Sequence, residues 1–195
     1  MTIARALGFA AILALAGSAA WANQAQPNGT GTSLTQQVGG PFELVDQTGQ
    51  VVTDRDFRGQ FMLVYFGYAK CPGICPTALR AIAEAIDLLG DEGGQVAPIL
   101  ITVDAKNDQP GNLAAAVAKI HPRLTGLTGT PEQLAAAAAA YGVSAKPVSR
   151  SWDGIDIYQH GAFIYLMGPD GKLLTLFPPV ATGSDMAEAI RGYLG

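Results

Sequence analysis

Soft-metal and thiol ligands are scarce in this sequence: its 195 residues include 2 cysteines and 2 histidines. Any such site must be drawn from Cys71, Cys75, His121 and His160. A structural zinc site wants four ligands, and one cysteine pair with two histidines far apart in the chain argues against one. Charge is sparse too. Charged residues make up 14%, and 12 basic against 16 acidic side chains leave a net charge of -4. No basic patch stands out, which argues against nucleic acid as a partner. What is abundant is apolar surface: 49% of residues are hydrophobic, enough for a well-buried core and inconsistent with a disordered chain.

The N-terminus reads as an export signal. Arg5 precedes the apolar run 6–16, Gly17 and Ser18 break it, and Ala20-Trp21-Ala22 places small residues where a signal peptidase reads them. Residues 1–22 are thus expected to be a signal peptide, or an uncleaved anchor of about 17 apolar residues. Either way the folded part lies outside the cytoplasm, in a periplasmic type of compartment where a cysteine pair can oxidise. A membrane enters only if the N-terminal segment is retained. Residues 23–40, rich in Gln, Gly, Thr and Asn, read as a flexible leader. Residues 41–195 form the expected folded domain.

Within that domain, 42–45 and 50–53 flank a turn-rich Asp46-Gln47-Thr48-Gly49 and predict a hairpin. The apolar run 61–66 predicts a buried central strand. Pro76 suits a first helical turn, and Leu79, Ile82, Ala83, Ile86 and Leu89 repeat at helical spacing. A second buried strand is expected at 96–103 and a helix at 113–120. Another helix opens on the capping sequence Thr130-Pro131-Glu132-Gln133 and continues through 135–140. A second hairpin is expected at 162–167 and 173–177, and a last helix at 182–194. This order predicts an α/β protein with a largely parallel sheet covered on both faces, to which the terminal hairpin adds antiparallel pairing. It is a thioredoxin-like arrangement with an N-terminal β-hairpin and helices inserted in the middle.

The cysteines of Cys71-Pro72-Gly73-Ile74-Cys75 fall where the first buried strand ends and a helix begins. Ligands collect at that edge of an open α/β sheet. The positive end of a helix there lowers a thiol pKa and raises its reactivity. A bridge closing so short a loop restrains the unfolded chain little, which argues against a purely structural disulfide. A redox pair of the thioredoxin type has two residues between its cysteines, and this one has three. The wider loop permits a disulfide and also lets both sulfurs face one metal ion. Two thiolates favour Cu(I), and an imidazole serves Cu(I) and Cu(II) alike. Three readings remain open: a copper metallochaperone, a thiol-disulfide oxidoreductase acting through Cys71 and Cys75, and a copper or redox sensor.

His160 is the better placed histidine, because it directly precedes a strand whose entry loop lies beside the cysteine motif in such a fold. A lone histidine is also a common structural residue, so the third ligand stays open at this level. His121 is expected to interact with a helix C-terminus. Met62 and Met167 are expected in the core. Asp104, Lys106 and Asp108 follow the second buried strand at the cysteine edge and could tune the site.

Several blocks in order then carry a resemblance. They are Gly39-Gly40-Pro41-Phe42, Val52-Thr53-Asp54, Leu63-Val64-Tyr65-Phe66-Gly67-Tyr68 running into Cys71-Pro72 and Cys75-Pro76-Thr77, Ile101-Thr102-Val103-Asp104, Gly126-Leu127-Thr128-Gly129, and Tyr165-Leu166-Met167-Gly168-Pro169-Asp170-Gly171. Together they resemble the Sco/SenC family of copper-binding, cytochrome oxidase assembly proteins. The resemblance implies a thioredoxin fold binding one copper through two cysteines and a distal histidine, here Cys71, Cys75 and His160. It also implies a role in maturing the copper-bearing subunit of a terminal cytochrome oxidase, by copper delivery, by reduction of its cysteines, or both, with other copper chaperones as further partners. The chain departs from the family pattern at Gly73 and Gln159, where aspartates are common, at Gly161, and loosely over 104–108. Two carboxylates near the metal are therefore missing, which bears on affinity and redox preference.

Overall fold

The computed structural model describes residues 38–195. The expected signal segment and most of the expected leader lie outside the described residues. The chain opens with β1 (Glu43–Asp46) and β2 (Val51–Thr53), the hairpin expected there. It continues through β3 (Phe61–Gly67), α1 (Cys75–Leu89), β4 (Val96–Thr102), α2 (Pro110–Val117), β5 (Thr125–Thr128) and α3 (Pro131–Ala140). It closes with β6 (Ala145–Arg150), β7 (Asp156–His160), β8 (Ile164–Met167), β9 (Leu173–Phe177) and α4 (Gly183–Leu194).

Seven strands form one sheet in the order β2-β1-β5-β4-β3-β8-β9, and β6 pairs with β7 in a separate hairpin. The fold is α/β and thioredoxin-like. β3 explains its own continuous apolar run. Phe61, Leu63 and Tyr65 pack on the side covered by α1 and α4, while Met62, Val64 and Phe66 pack on the side of α3. Helices on both faces leave no position on this strand for a charged residue. α1 buries Leu79, Ile82, Ile86 and Leu89 at the expected helical spacing. α3 starts at Thr130 with the expected capping box: Gln133 N–H donates to Thr130 Oγ1 at 3.2 Å, and Thr130 N–H donates to Gln133 Oε1 at 2.9 Å.

The sheet is less parallel than the sequence predicts. Only β3–β4 and β4–β5 are parallel; β1 joins β5, and β8 joins β3, antiparallel. The difference comes from β5, which the sequence pattern hides. Its four residues Thr125-Gly126-Leu127-Thr128 offer one large apolar side chain and no clear period. Its backbone is satisfied from both sides, by β4 and β1. The β6–β7 hairpin is hidden for a similar reason. β6 is largely exposed and carries no apolar stripe. The hairpin is held by its ladder and by Arg150 Nε, which donates to Asp156 Oδ1 across the strands at 2.6 Å. α2 starts three residues earlier than its apolar pattern predicts, because Pro110 takes the first helical turn and Leu113 N–H donates to the Gln109 carbonyl at 2.9 Å.

Gly126 sets how closely α2 approaches the sheet. A Cβ at this position would lie 2.6 Å from Leu113 Cγ and 3.0 Å from Val117 Cγ1. Gly126→Ala is therefore expected to push α2 outward and lower stability by about 1–3 kcal/mol, the usual cost of overpacking. Urea unfolding of the two proteins measures the difference, and equal midpoints would show that α2 can move without cost.

Candidate metal centre

β3 runs out at Gly67 and the chain turns at once into the cysteine loop. Cys71 N–H donates to the Tyr68 carbonyl at 3.2 Å. Thr77 and Ala78 N–H then donate to the Ile74 carbonyl at 3.0 and 3.1 Å, starting α1. Ile74 holds the N-cap position, and no side chain caps this helix. Its positive end is therefore left facing the cysteine loop, where it favours thiolate over thiol. A disulfide joins Cys71 and Cys75. Cys71 is half-buried, whereas Cys75 is 1% exposed.

His160 reaches this loop from the end of β7, not from a loop before the next strand. Its Nε2 lies 3.7 Å from Cys75 Sγ. Its Nδ1 lies 3.1 Å from the Gly161 carbonyl oxygen. A carbonyl only accepts, so the proton belongs on Nδ1, and Nε2 presents a free lone pair towards the sulfurs. The ligand atoms of Cys71, Cys75 and His160 all lie within 4.8 Å of one another. Two soft sulfurs and one imidazole nitrogen form an incomplete, copper-compatible donor set. The ring of His160 is held edge-on by Tyr65 and Tyr68, each with centroids 6.2 Å away.

Tyr158 ties the His160 hairpin to the body. Its N–H donates to Tyr68 Oη at 3.4 Å, its ring packs edge-on to Tyr68 at 5.3 Å, and its hydroxyl donates to Asp104 Oδ1 at 3.3 Å. The sequence does not single out Tyr158. Recognising 156–160 as a strand would have found it, since Tyr158 and His160 are two apart and share a face. Burial, aided by the Asp104 charge, pushes the Tyr158 hydroxyl up to about 12, and burial pushes Tyr65 up to about 12. Both tyrosines stay neutral and add no negative charge around the sulfurs.

The remaining residues separate cleanly. Asp104 is buried and also accepts from Asn107 Nδ2 at 2.7 Å. Asp108 Oδ2 accepts from Thr102 Oγ1 at 2.6 Å and from Ala69 N–H at 2.9 Å, tying the end of β4 to the cysteine loop. Lys106 is exposed. His121 stands apart from the cluster: its Nε2 pairs with Asp87 Oδ1 at 3.2 Å, and its Nδ1 accepts from Arg123 N–H at 3.1 Å. It meets the C-terminus of α2 as expected, but through its backbone: its N–H donates to the carbonyl of Val117, the last residue of that helix, at 3.1 Å. Met62 and Met167 face each other across β3 and β8 in the core. Gly73 and Gln159 are exposed, and a Cβ on Gly73 would meet Cys71 Sγ at an ordinary 3.9 Å, so the loop has room for a side chain there.

Comparison with known proteins decides the family. The SCO1/SenC family model matches residues 30–195. The chain belongs to the SCO1/SenC family. Protein SenC of Rhodobacter capsulatus is 40% identical to it over 166 residues, 85% of this chain and 74% of that protein. Protein sco1 of Schizosaccharomyces pombe is 38% identical over 161 residues, 80% of this chain and 61% of that protein, so the match spans about three fifths of that relative's length. Among solved structures, Bradyrhizobium japonicum ScoI with copper bound aligns with a TM-score of 0.74 at 37% identity, covering 80% of this chain and 99% of that one. Among the described residues of this SCO1/SenC chain, no helix is long and apolar enough to cross a membrane.

Asp108 yields a pH-dependent expectation. Burial raises its pKa, only partly opposed by the Thr102 and Ala69 hydrogen bonds. The folded chain therefore takes up a proton there at a pH where the unfolded chain does not. Asp108 contributes stability that is present in acid and lost as pH rises through the raised value. The proton can sit on Oδ1 while Oδ2 keeps both bonds. The stability of the protein relative to Asp108→Asn is expected to rise as pH falls from neutral towards the carboxylate range, measured by urea unfolding of both across that range. A difference that stays constant with pH would show that Asp108 is not shifted.

Proposed function

We propose that this SCO1/SenC chain is a copper metallochaperone that carries one copper ion on Cys71, Cys75 and His160 and assists maturation of the copper centre of a terminal cytochrome oxidase. The observation that carries this reading is the convergence of two sulfurs and the free Nε2 of His160 within 4.8 Å. Copper is cargo here, and the site must first be opened. A dithiol reductant, itself oxidised to a disulfide, supplies the two electrons and two protons that convert the Cys71–Cys75 disulfide to two thiols. Binding of Cu(I) then displaces the thiol protons, a step favoured by the positive end of α1. Three ligands leave the metal coordinatively incomplete, which suits a protein that hands it on. The recipient implied by the family is the copper-bearing oxidase subunit, with other copper chaperones as the source. The exported location expected from residues 1–22 fits that recipient. Gly73 and Gln159 leave the site without the two carboxylates common in the family, so its negative charge comes from the thiolates alone.

Titration of the reduced chain with Cu(I), in competition with a chelator, is expected to give about one copper per chain. Cys71→Ser or Cys75→Ser should abolish competitive binding. His160→Ala should weaken it at least about tenfold, or ~1.4 kcal/mol. Gly73→Asp should tighten Cu(II) binding severalfold by adding negative charge beside Cys71. Unchanged affinity in His160→Ala would remove the histidine from the site. Metal-free disulfide turnover that survives that substitution, with no copper bound, would favour the oxidoreductase reading.

A further inference from the structure

The disulfide can be approached from two sides, and only one of them holds His160. On the other side a cleft of about 570 Å³ opens between α1 and α2. Cys71 and Cys75 line it and His160 does not. Its floor is apolar, from Leu79, Leu100 and Ile120. Lys70, Arg80 and Lys119 line it as well; all three are exposed, and none pairs with a carboxylate among the described residues. The acid among its lining residues, Asp108, is buried and already accepts two hydrogen bonds. A chain of net charge -4 thus gathers three cations without a carboxylate partner, Arg80 giving only its Nε–H to the Pro76 carbonyl at 3.1 Å, around an apolar cleft that leads to its reactive sulfurs.

We propose that this cleft docks an extended acidic segment of a cysteine-bearing partner protein, the partner that exchanges metal or electrons at Cys71. The cations select acidic side chains and speed encounter, and the apolar floor takes the side chains between them. The chain's own leader cannot be this occupant through charge, because residues 1–37 contain no aspartate or glutamate. Cys71 is the sulfur a docked thiolate reaches, since Cys75 is buried. In electron exchange, the partner thiolate bonds to Cys71 Sγ and the Cys71–Cys75 bond breaks, leaving its electron pair on Cys75. A second partner thiolate then closes the partner's own disulfide and releases Cys71, so two electrons pass from the partner dithiol to the chain. His160 is untouched throughout and stays available for metal. The partner's identity rests on the function proposed above; the docking chemistry does not.

The test uses the full oxidised, metal-free chain and two synthetic peptides with a central Cys-x-x-Cys flanked by valine alternating with either glutamate or lysine. The glutamate peptide is expected to reduce the disulfide about tenfold faster at low ionic strength, with the gap closing as salt is added. K70E/R80E/K119E should reverse the preference. Amide shifts in the labelled protein should cluster at Lys70, Asn112 and Lys119. Equal rates for the two peptides, or shifts confined to the β6–β7 hairpin, would overturn the proposal. Because no copper is present, failure here leaves the metal site standing, and failure of copper binding leaves this docking site standing.

Discussion

The approach of His160 Nε2 to Cys75 Sγ, at 3.7 Å, is the contact on which the rest of the site depends. It joins the first residue of α1 to the last residue of β7, 85 positions further along the chain. One partner is fixed by the core. β3 is buried on both faces and delivers the cysteine loop to the uncapped amino end of α1. The other partner rides on a hairpin outside the main sheet, so its position depends on side chains. Tyr158 supplies them through Tyr68 and Asp104, and the Gly161 carbonyl sets which ring nitrogen faces the sulfur. Rigid sulfurs and a tethered imidazole would suit the proposed cargo, a metal that is bound and then released.

The parts of this arrangement differ in how plainly the sequence announces them. β3 and β4 are legible because their apolar runs have one explanation, burial on two faces. α1 and α3 are legible because proline, capping residues and helical spacing agree. β5 is not, since pairing from both sides, rather than its own side chains, makes it a strand. The β6–β7 hairpin is not, because an exposed ladder needs no apolar alternation. That blind spot matters for function: it hides Tyr158 and places His160 in a loop. The cysteine pair is legible from position and spacing alone. The histidine needs the family resemblance, because a single imidazole 85 residues away carries no spacing signal.

The surroundings of the sulfurs combine two environments. On the His160 side, neutral tyrosines and a glycine-containing loop make a wall without a free carboxylate, and the buried Asp104 is occupied by Tyr158 and Asn107. Charge at a bound metal would then be set by the thiolates themselves and by the end of α1. On the α2 side, cations and apolar side chains offer a surface for another protein. If the chain carries copper as proposed, the face that would hold the ion is separate from the face that would meet the partner.

X-ray absorption at the copper edge, on the reduced chain loaded with one equivalent of Cu(I), reads the donor set directly. Two sulfur neighbours and one imidazole nitrogen are expected in the native protein, and two sulfurs without the imidazole in His160→Ala. A native spectrum with only sulfur neighbours, or one unchanged by His160→Ala, would contradict that donor set.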